Sequence, residues 1–263
     1  MIDRIYLHGL GIAAPGLAGW PSARAVLAGE SPYRAAPLAP FRTQRLPRNE
    51  ARRAGAGVHL AFRVAEQACG ERDASRFAAV FSSSAGDIDI ADQLCLAVNT
   101  PERAISPTRF HNSVHNAPAG YWSIATGTRE STTSLSAGPG GFTVALCEAW
   151  GLVAERQSPV LLVCYDIDGG GMLAEARRDI GATFAMAWLL DVADAGAMAW
   201  IERPQPARDA RPTRLSIPAL EALRVANASA RSLPLFTVLA GSEPAAPVIE
   251  SEQGHWRVPL ARL

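Results

Sequence analysis

Apolar positions in this chain recur with two periods, and the order in which those periods follow one another outlines the fold. Residues 2–10 read as a strand that closes in Gly9-Leu10-Gly11 and a turn around Pro15 and Gly16, with a short helix following from Ser22 to Ala28. Across residues 51–69, Val58, Phe62, Ala65 and Cys69 fall three or four apart and line one face of a helix. Phe77 to Ser82 is a short buried strand; Ser83, Ser84 and Gly86 turn the chain, and Asp87 or Asp89 caps a helix running to about Val98. After a loop at 101–107, residues 113–127 read as a helix rich in small residues that carries Tyr121, Trp122 and Ile124. A Thr-containing extended run at 130–136, a Gly-rich turn and a helix at 141–155 come next. Residues 160–165 are apolar without a break, as in a strand covered on both faces. A Gly loop at 169–171 precedes two further strands, 184–190 and 196–202, which read as an antiparallel pair turned at 191–195.

Beyond Arg203 the pattern weakens: a Pro/Arg-rich linker at 204–213, a short strand at 215–217, a helix at 219–230 entered through Pro218, and apolar fragments at 233–239 and 256–260. Strands alternating with helices and closed by a hairpin predict an α/β layered domain. At 263 residues the chain is long enough to bury a substantial core.

Composition changes this picture mainly by exclusion. The formal net charge of zero offers no electrostatic case for nucleic acid or an anionic membrane. No run approaches the roughly 20 apolar residues of a membrane span, and the first residues lack the basic and apolar regions of a secretory signal, so a cytoplasmic location is expected. Cys69, Cys95, Cys147 and Cys164 are too scattered for a metal or redox motif. His111 and His115 have the spacing of two ligands on one helix face, yet no Glu follows the first, and Pro118 argues against a long helix there. The glycines after the first strand lack the third Gly of a dinucleotide fingerprint. Asp166-Ile167-Asp168 reads as a loop cap before Gly169 rather than a metal-binding pair, and Arg42, Arg45, Arg48, Arg52 and Arg53 as a solvated basic surface, with an acidic carrier protein as the alternative partner. Neither a metal nor an organic cofactor is called for.

The stretch with most chemical content is Ser134-Leu135-Ser136-Ala137-Gly138-Pro139-Gly140-Gly141-Phe142. A strand, a sharp turn and a helix in succession place one residue at a helix N-terminus, where free N–H groups and the dipole stabilise a thiolate or alkoxide. That residue is Gly138, which offers no nucleophile. Ser136 supplies an alternative reading, a serine hydrolase or acyltransferase related to the G-x-S-x-G elbow, with His111, His115 or His255 and Asp166 or Asp168 as partners.

Three segments together resemble the N-terminal half of the β-ketoacyl synthases, condensing enzymes of the thiolase fold. Ile5 to Pro15 is similar to their opening strand and Gly-x-Gly turn. Ile105-Ser106-Pro107, Asn116-Ala117-Pro118-Ala119-Gly120 with Ile124, and Gly127 follow the order of their motifs before the active-site strand. Ser136-Ala137-Gly138 stands where the family has Ser/Thr-Ala-Cys. The resemblance covers residues 1–203; it implies a thiolase-like layered domain with a mixed sheet flanked by helices, and leaves 204–263 as a short extension in place of the family's second half. Claisen condensation uses a thiolate, two imidazoles and an oxyanion hole. Gly138 replaces the Cys, and the only His beyond 203 is His255, outside any matching motif.

A synthase-like chain of this kind resembles the chain length factors, inactive partners of ketosynthases, and most of all the small ones of aryl polyene pathways. The resemblance implies a heterodimer with an active ketosynthase, joined through Ser131, Thr132, Thr133, Ser134, Leu135 and Ser136, with an acyl carrier protein as a further partner. It also implies that Gln93, Leu94, Leu96, Phe110 and Val114 line the tunnel of the growing chain. A homodimeric scaffold without a tunnel is the remaining alternative.

Overall fold

The computed structural model describes residues 2–173, 180–252 and 254–263. Its centre is a seven-stranded mixed sheet ordered β10-β6-β1-β5-β4-β2-β3. The strands are β1 (Arg4–Ala13), β2 (Ala78–Ser82), β3 (Thr132–Leu135), β4 (Val160–Asp166), β5 (Phe184–Asp191), β6 (Ala199–Glu202) and β10 (Leu260–Arg262). β2 pairs in parallel with β3 and β4, whereas all other neighbours in this sheet are antiparallel. All seven residues of β4 are buried, which explains its unbroken apolar run. Successive side chains go to opposite faces: Leu162 and Cys164 join one core, Leu161 and Val163 the other.

One face is covered by α3 (Ala56–Cys69) and α6 (Ala117–Thr126), the other by α1 (Trp20–Leu27) and α7 (Gly141–Arg156). The expected pairing of 184–190 with 196–202 does not form. β1 lies between β5 and β6 and pairs antiparallel with both, Tyr6–Ala13 with β5 and Arg4–Leu7 with β6. Local spacing suggested a hairpin, but the ten-residue β1 is long enough to serve both neighbours and is locked in the middle by α3. A Cβ at Gly9 would sit 2.0 Å from the Ala68 carbonyl oxygen, and one at Gly11 2.2 Å from that of Val64.

Other boundaries shift for local reasons. The helix expected at 51–69 is two, α2 (Arg48–Arg53) and α3, because Ala54 is extended and Asn112 Nδ2 takes the Arg53 carbonyl at 2.8 Å. The helix expected from Ser113 begins only at Ala117; before it α5 (Pro107–Asn112) is capped by Ser106, whose Oγ accepts from Arg109 N. α1 starts at Trp20 rather than Ser22. α4 (Ile88–Val98) is capped by Asp87 as expected, Oδ1 accepting from Ile90 N at 3.2 Å.

After β6 the chain makes β7 (Gln205–Pro206), α8 (Pro218–Val225), a 3-10 turn at Ser229–Ser232, α9 (Leu233–Ala240), β8 (Val248–Ile249) and β9 (Trp256–Arg257). The order β7-β9-β8 makes a small antiparallel sheet. No strand forms at 215–217, and the helix expected at 219–230 is interrupted at Asn227. Its amide reaches the Ala182 carbonyl at 2.7 Å and accepts from Ala230 N at 3.0 Å. The apolar 233–239 fragment is α9. Leu233, Leu235, Phe236 and Leu239 enter the same core as β1 and α7. Phe236 lies 5.7 Å from Trp188 and 5.9 Å from Trp20, ring centre to ring centre, so the last 60 residues are built into the layer.

Candidate functional site

β3 runs into Ser136 and Ala137, then a 3-10 turn at Gly138–Gly140, then α7. Gly138 has φ +49, a left-handed conformation that glycine adopts without a Cβ penalty. The space above it is open: a Cβ there would meet no atom within 4 Å. The next two glycines are crowded. A Cβ at Gly140 would come to 3.0 Å of Ser251 Oγ, and one at Gly141 to 3.3 Å of Ser82 Oγ. From the C-terminal segment, Arg231 Nη1 donates to the Pro139 carbonyl at 2.8 Å. The turn therefore has the shape of a nucleophile elbow, braced from behind by residues 231 and 251. α7 has neither a side-chain cap nor an acid in its first turn, so its dipole faces position 138 uncompensated.

Ser136 is tied to the backbone rather than to an imidazole. Its Oγ donates to the Ser84 carbonyl at 3.1 Å. The imidazoles expected beside it are engaged elsewhere: His115 Nε2 donates to the Ser83 carbonyl at 3.0 Å, His255 Nδ1 accepts from Ser251 N at 3.4 Å, and His111 packs edge-on against Tyr121. Among the described residues no histidine hydrogen-bonds Ser136, and no group of three or more His, Cys, Asp or Glu could hold a metal ion. His111 lies in α5 and His115 in the turn after it, not on one helix face. Burial pushes the Cys69 thiol up to about 12 and raises those of Cys147 and Cys164, so these three stay protonated.

β3 is the outer strand of the sheet, paired on one side only. Ala79 N donates to Ser131 O and Ser83 N to Leu135 O, so Ser131, Thr133 and Leu135 turn their backbone groups toward β2. By the two-residue period of a ladder, the N–H and C=O of Thr132 and Ser134 face the open edge. Side chains along the edge are half-buried from Thr132 to Leu135, and exposed at Ser131 and Ser136. Thr132 Oγ1 shares a hydrogen bond with Ser123 of α6, Ser131 Oγ accepts from Arg156 of α7, and Ser134 Oγ is buried without a partner. The helices α6 and α7 each expose an apolar residue, Ile124 (78 %) and Val144 (42 %).

α4 buries Ile88 and Asp92 and exposes Leu96 and Val98. Asp89 Oδ1 accepts from Gly170 N and Asp92 Oδ1 from Leu173 N, while Gln93 and Leu96 are exposed and Leu94 is half-buried. α4 packs on α5, where Phe110 is 64 % exposed, with Val114 exposed just beyond. The five residues expected in the tunnel thus lie on α4, on α5 and in the turn after it, and none is buried in this chain.

The basic residues at 42–53 do not act as one cluster. Arg45 lies over Trp122 and donates to the Gly70 carbonyl, whereas Arg53 pairs with Glu50 in α2. Two buried polar centres remain. Arg224 had no signal in the sequence. Asp166, expected as a loop cap or triad partner, is instead the last residue of β4 and bonds to no histidine among the described residues. Asp166 is buried and accepts hydrogen bonds from Ser83, Ser84 and Ser229; burial raises its carboxyl pKa against the pull of Ser229 and Ser84. Buried Arg224 pairs with Glu221 at 2.8 Å and Glu250 at 2.7 Å. The sequence marks Asp166 as a carboxylate ending an otherwise apolar strand, but not its partners, which lie more than 60 positions away.

The sequence pattern of the family described as "Beta-ketoacyl synthase, N-terminal domain" matches residues 24–251. No curated protein sequence matches the chain. Among solved structures, the chain is similar to one of a ketosynthase in complex with its chain length factor from Xenorhabdus doucetiae. That match has a TM-score of 0.73 and 23 % identity, and covers 98 % of this chain and 100 % of the other. The ishigamide ketosynthase/chain length factor matches with a TM-score of 0.72 at 14 % identity, over 100 % and 99 % of the two chains. A type II PKS acyl-carrier protein in complex with its ketosynthase bound to the hexaketide matches with a TM-score of 0.74 at 11 % identity, over 100 % of both. At such identities the likeness concerns the fold, a mixed sheet between helices as in the ketosynthases.

Proposed function

The chain belongs to the family of the β-ketoacyl synthase N-terminal domain, and from that premise we propose that it is a catalytically inactive chain length factor. In this reading it pairs with an active ketosynthase and shapes the acyl tunnel, in aryl polyene or related polyketide synthesis. The observation that carries the reading is Gly138, an elbow residue in a left-handed conformation under open space, with no side chain to acylate. Condensation through a thioester needs a thiolate at that point. Ser136, tied to the Ser84 carbonyl, does not replace it.

The open β3 edge supports pairing with a partner strand, since unpaired strand groups are satisfied by another strand. The outward apolar residues of α4 and α5 support a role beside that partner, where Gln93, Leu94, Leu96, Phe110 and Val114 would bound the acyl chain. Each methylene kept out of an apolar tunnel forgoes about 0.8 kcal/mol of burial, so a bulky floor sets length without chemistry.

The test is co-expression with a ketosynthase and an acyl carrier protein encoded nearby. Co-purification in equal amounts is expected, with activity abolished by mutating the ketosynthase Cys but kept in Ser136→Ala of this chain. Leu94→Ala or Phe110→Ala should lengthen the product by one or more extension units, read by mass spectrometry. Failure to co-purify would favour a homodimeric scaffold, and fluorophosphonate labelling at Ser136 a serine enzyme.

A further inference from the structure

The carboxylate of Asp166 joins three segments far apart in the sequence. Its Oδ1 accepts from Ser84 N at 2.7 Å, Ser84 Oγ at 2.6 Å and Ser83 Oγ at 3.2 Å, all in the turn that ends β2. Its Oδ2 accepts from Ser229 N at 3.2 Å and Ser229 Oγ at 2.6 Å, in the 3-10 turn of the C-terminal segment. Asp166, Ser83, Ser84 and Ser229 are all buried, and among the described residues no cation pairs with the carboxylate. Five donors converge on this carboxyl group, so both serine turns are tied to one polar group that water cannot reach.

The turn at 83–84 is in turn the anchor of the elbow strand. Ser83 N donates to the Leu135 carbonyl at 3.3 Å, and the Ser84 carbonyl accepts from Ser136 Oγ at 3.1 Å. The Ser83 carbonyl also accepts from His115, in the turn that leads into α6. On the other side, Asn227 fixes the Ser229 turn to the end of β4 and to the segment before β5 through the carbonyls of Asp166 and Ala182. A continuous polar path therefore runs from the C-terminal segment through one carboxylate to the end of the exposed β3 edge.

We infer that Asp166 is a positioning residue through which the C-terminal segment holds the end of β3 and the elbow in place. The coupling is a property of the chain alone; only the claim that the edge meets a ketosynthase rests on the reading above. Reciprocity follows, because a coupling between two sites acts equally in both directions. Loosening Ser229 loosens 83–86 and 131–137, and loosening Ser84 loosens 226–232.

Hydrogen exchange followed by mass spectrometry on the full chain tests this. Ser229→Ala should raise exchange in peptides covering 83–86 and 131–137 severalfold, Ser84→Ala should do the same at 226–232, and Asp166→Asn should do both. Leu239→Ala, a core truncation in α9 with no bond to Asp166, is the control, compared at matched stability in denaturant. If the effect of Ser229→Ala stays within 226–232, or equals that of Leu239→Ala at β3, the inference is overturned. Should Asp166→Asn fail to fold, the two serine variants decide the matter. A partner pull-down run beside it separates the two claims: coupling with no bound ketosynthase would leave this inference standing and remove the functional one.

Discussion

Gly138 and Gly9 are both glycines in or beside strands, yet they are glycines for different reasons. Gly138 is kept by its backbone alone, at φ +49 with nothing within 4 Å of an added Cβ. Gly138→Ala should therefore cost only the left-handed penalty, about 1–2 kcal/mol, and leave the fold intact. Gly9 is kept by space, because its Cβ would strike the Ala68 carbonyl at 2.0 Å. Gly9→Ala should cost about 3 kcal/mol or more, since backbone on both sides has to move. Equilibrium denaturation of the two variants distinguishes these causes, and equal losses would refute the assignment. The Gly at 138 was legible in the sequence as a missing nucleophile. The open space above it was not, because that depends on how far Arg231 and Ser251 of the C-terminal segment reach toward Pro139 and Gly140.

At the scale of elements, helices and strands were largely readable because burial imposes their periods: 160–165 as a strand buried on both faces, 141–155 as a helix, Asp87 as a cap. Neighbour relations were not, since period says which face is buried and not which strand lies alongside. The insertion of β1 between β5 and β6 is the clearest case. The same limit applies to β3, whose place at the edge appears only in the folded sheet. It yields a prediction. The N–H of Ser134 faces the open side, so Ser134→Pro removes a donor from the edge while sparing the ladder to β2. The variant should melt within a few degrees of the parent and yet fail to associate with a partner through this strand, as measured by analytical ultracentrifugation of the mixture. Association of undiminished strength would place the interface elsewhere.

For the whole molecule, the C-terminal segment is held by core packing and by two buried polar centres. Arg224 sits between Glu221 and Glu250. Its hydrogen bond to Glu221 holds that carboxyl below its ordinary value near 4.5; at Glu250, burial pushes upward, but Arg224 and nearby positive charges outweigh it. A carboxyl lowered in the folded state adds stability that is present above its unfolded value and is lost as pH falls through the folded one. Unfolding free energy should thus decline as pH drops below about 4.5, and Arg224→Met should flatten that decline while costing about 1–3 kcal/mol at neutral pH. Denaturant titrations at several pH values read both quantities; an unchanged acid limb in Arg224→Met would assign the acid sensitivity to other groups. The sequence by itself determined the α/β class, most element positions and the glycine in place of a nucleophile, because these follow from burial period, backbone preference and side-chain identity. Only the tertiary structure decided the order of the strands, the open β3 edge, the exposed apolar residues of α4 and α5, and the link through Asp166 and Arg224. Each of those depends on which distant segments share a buried volume, and neither local propensity nor spacing carries that information.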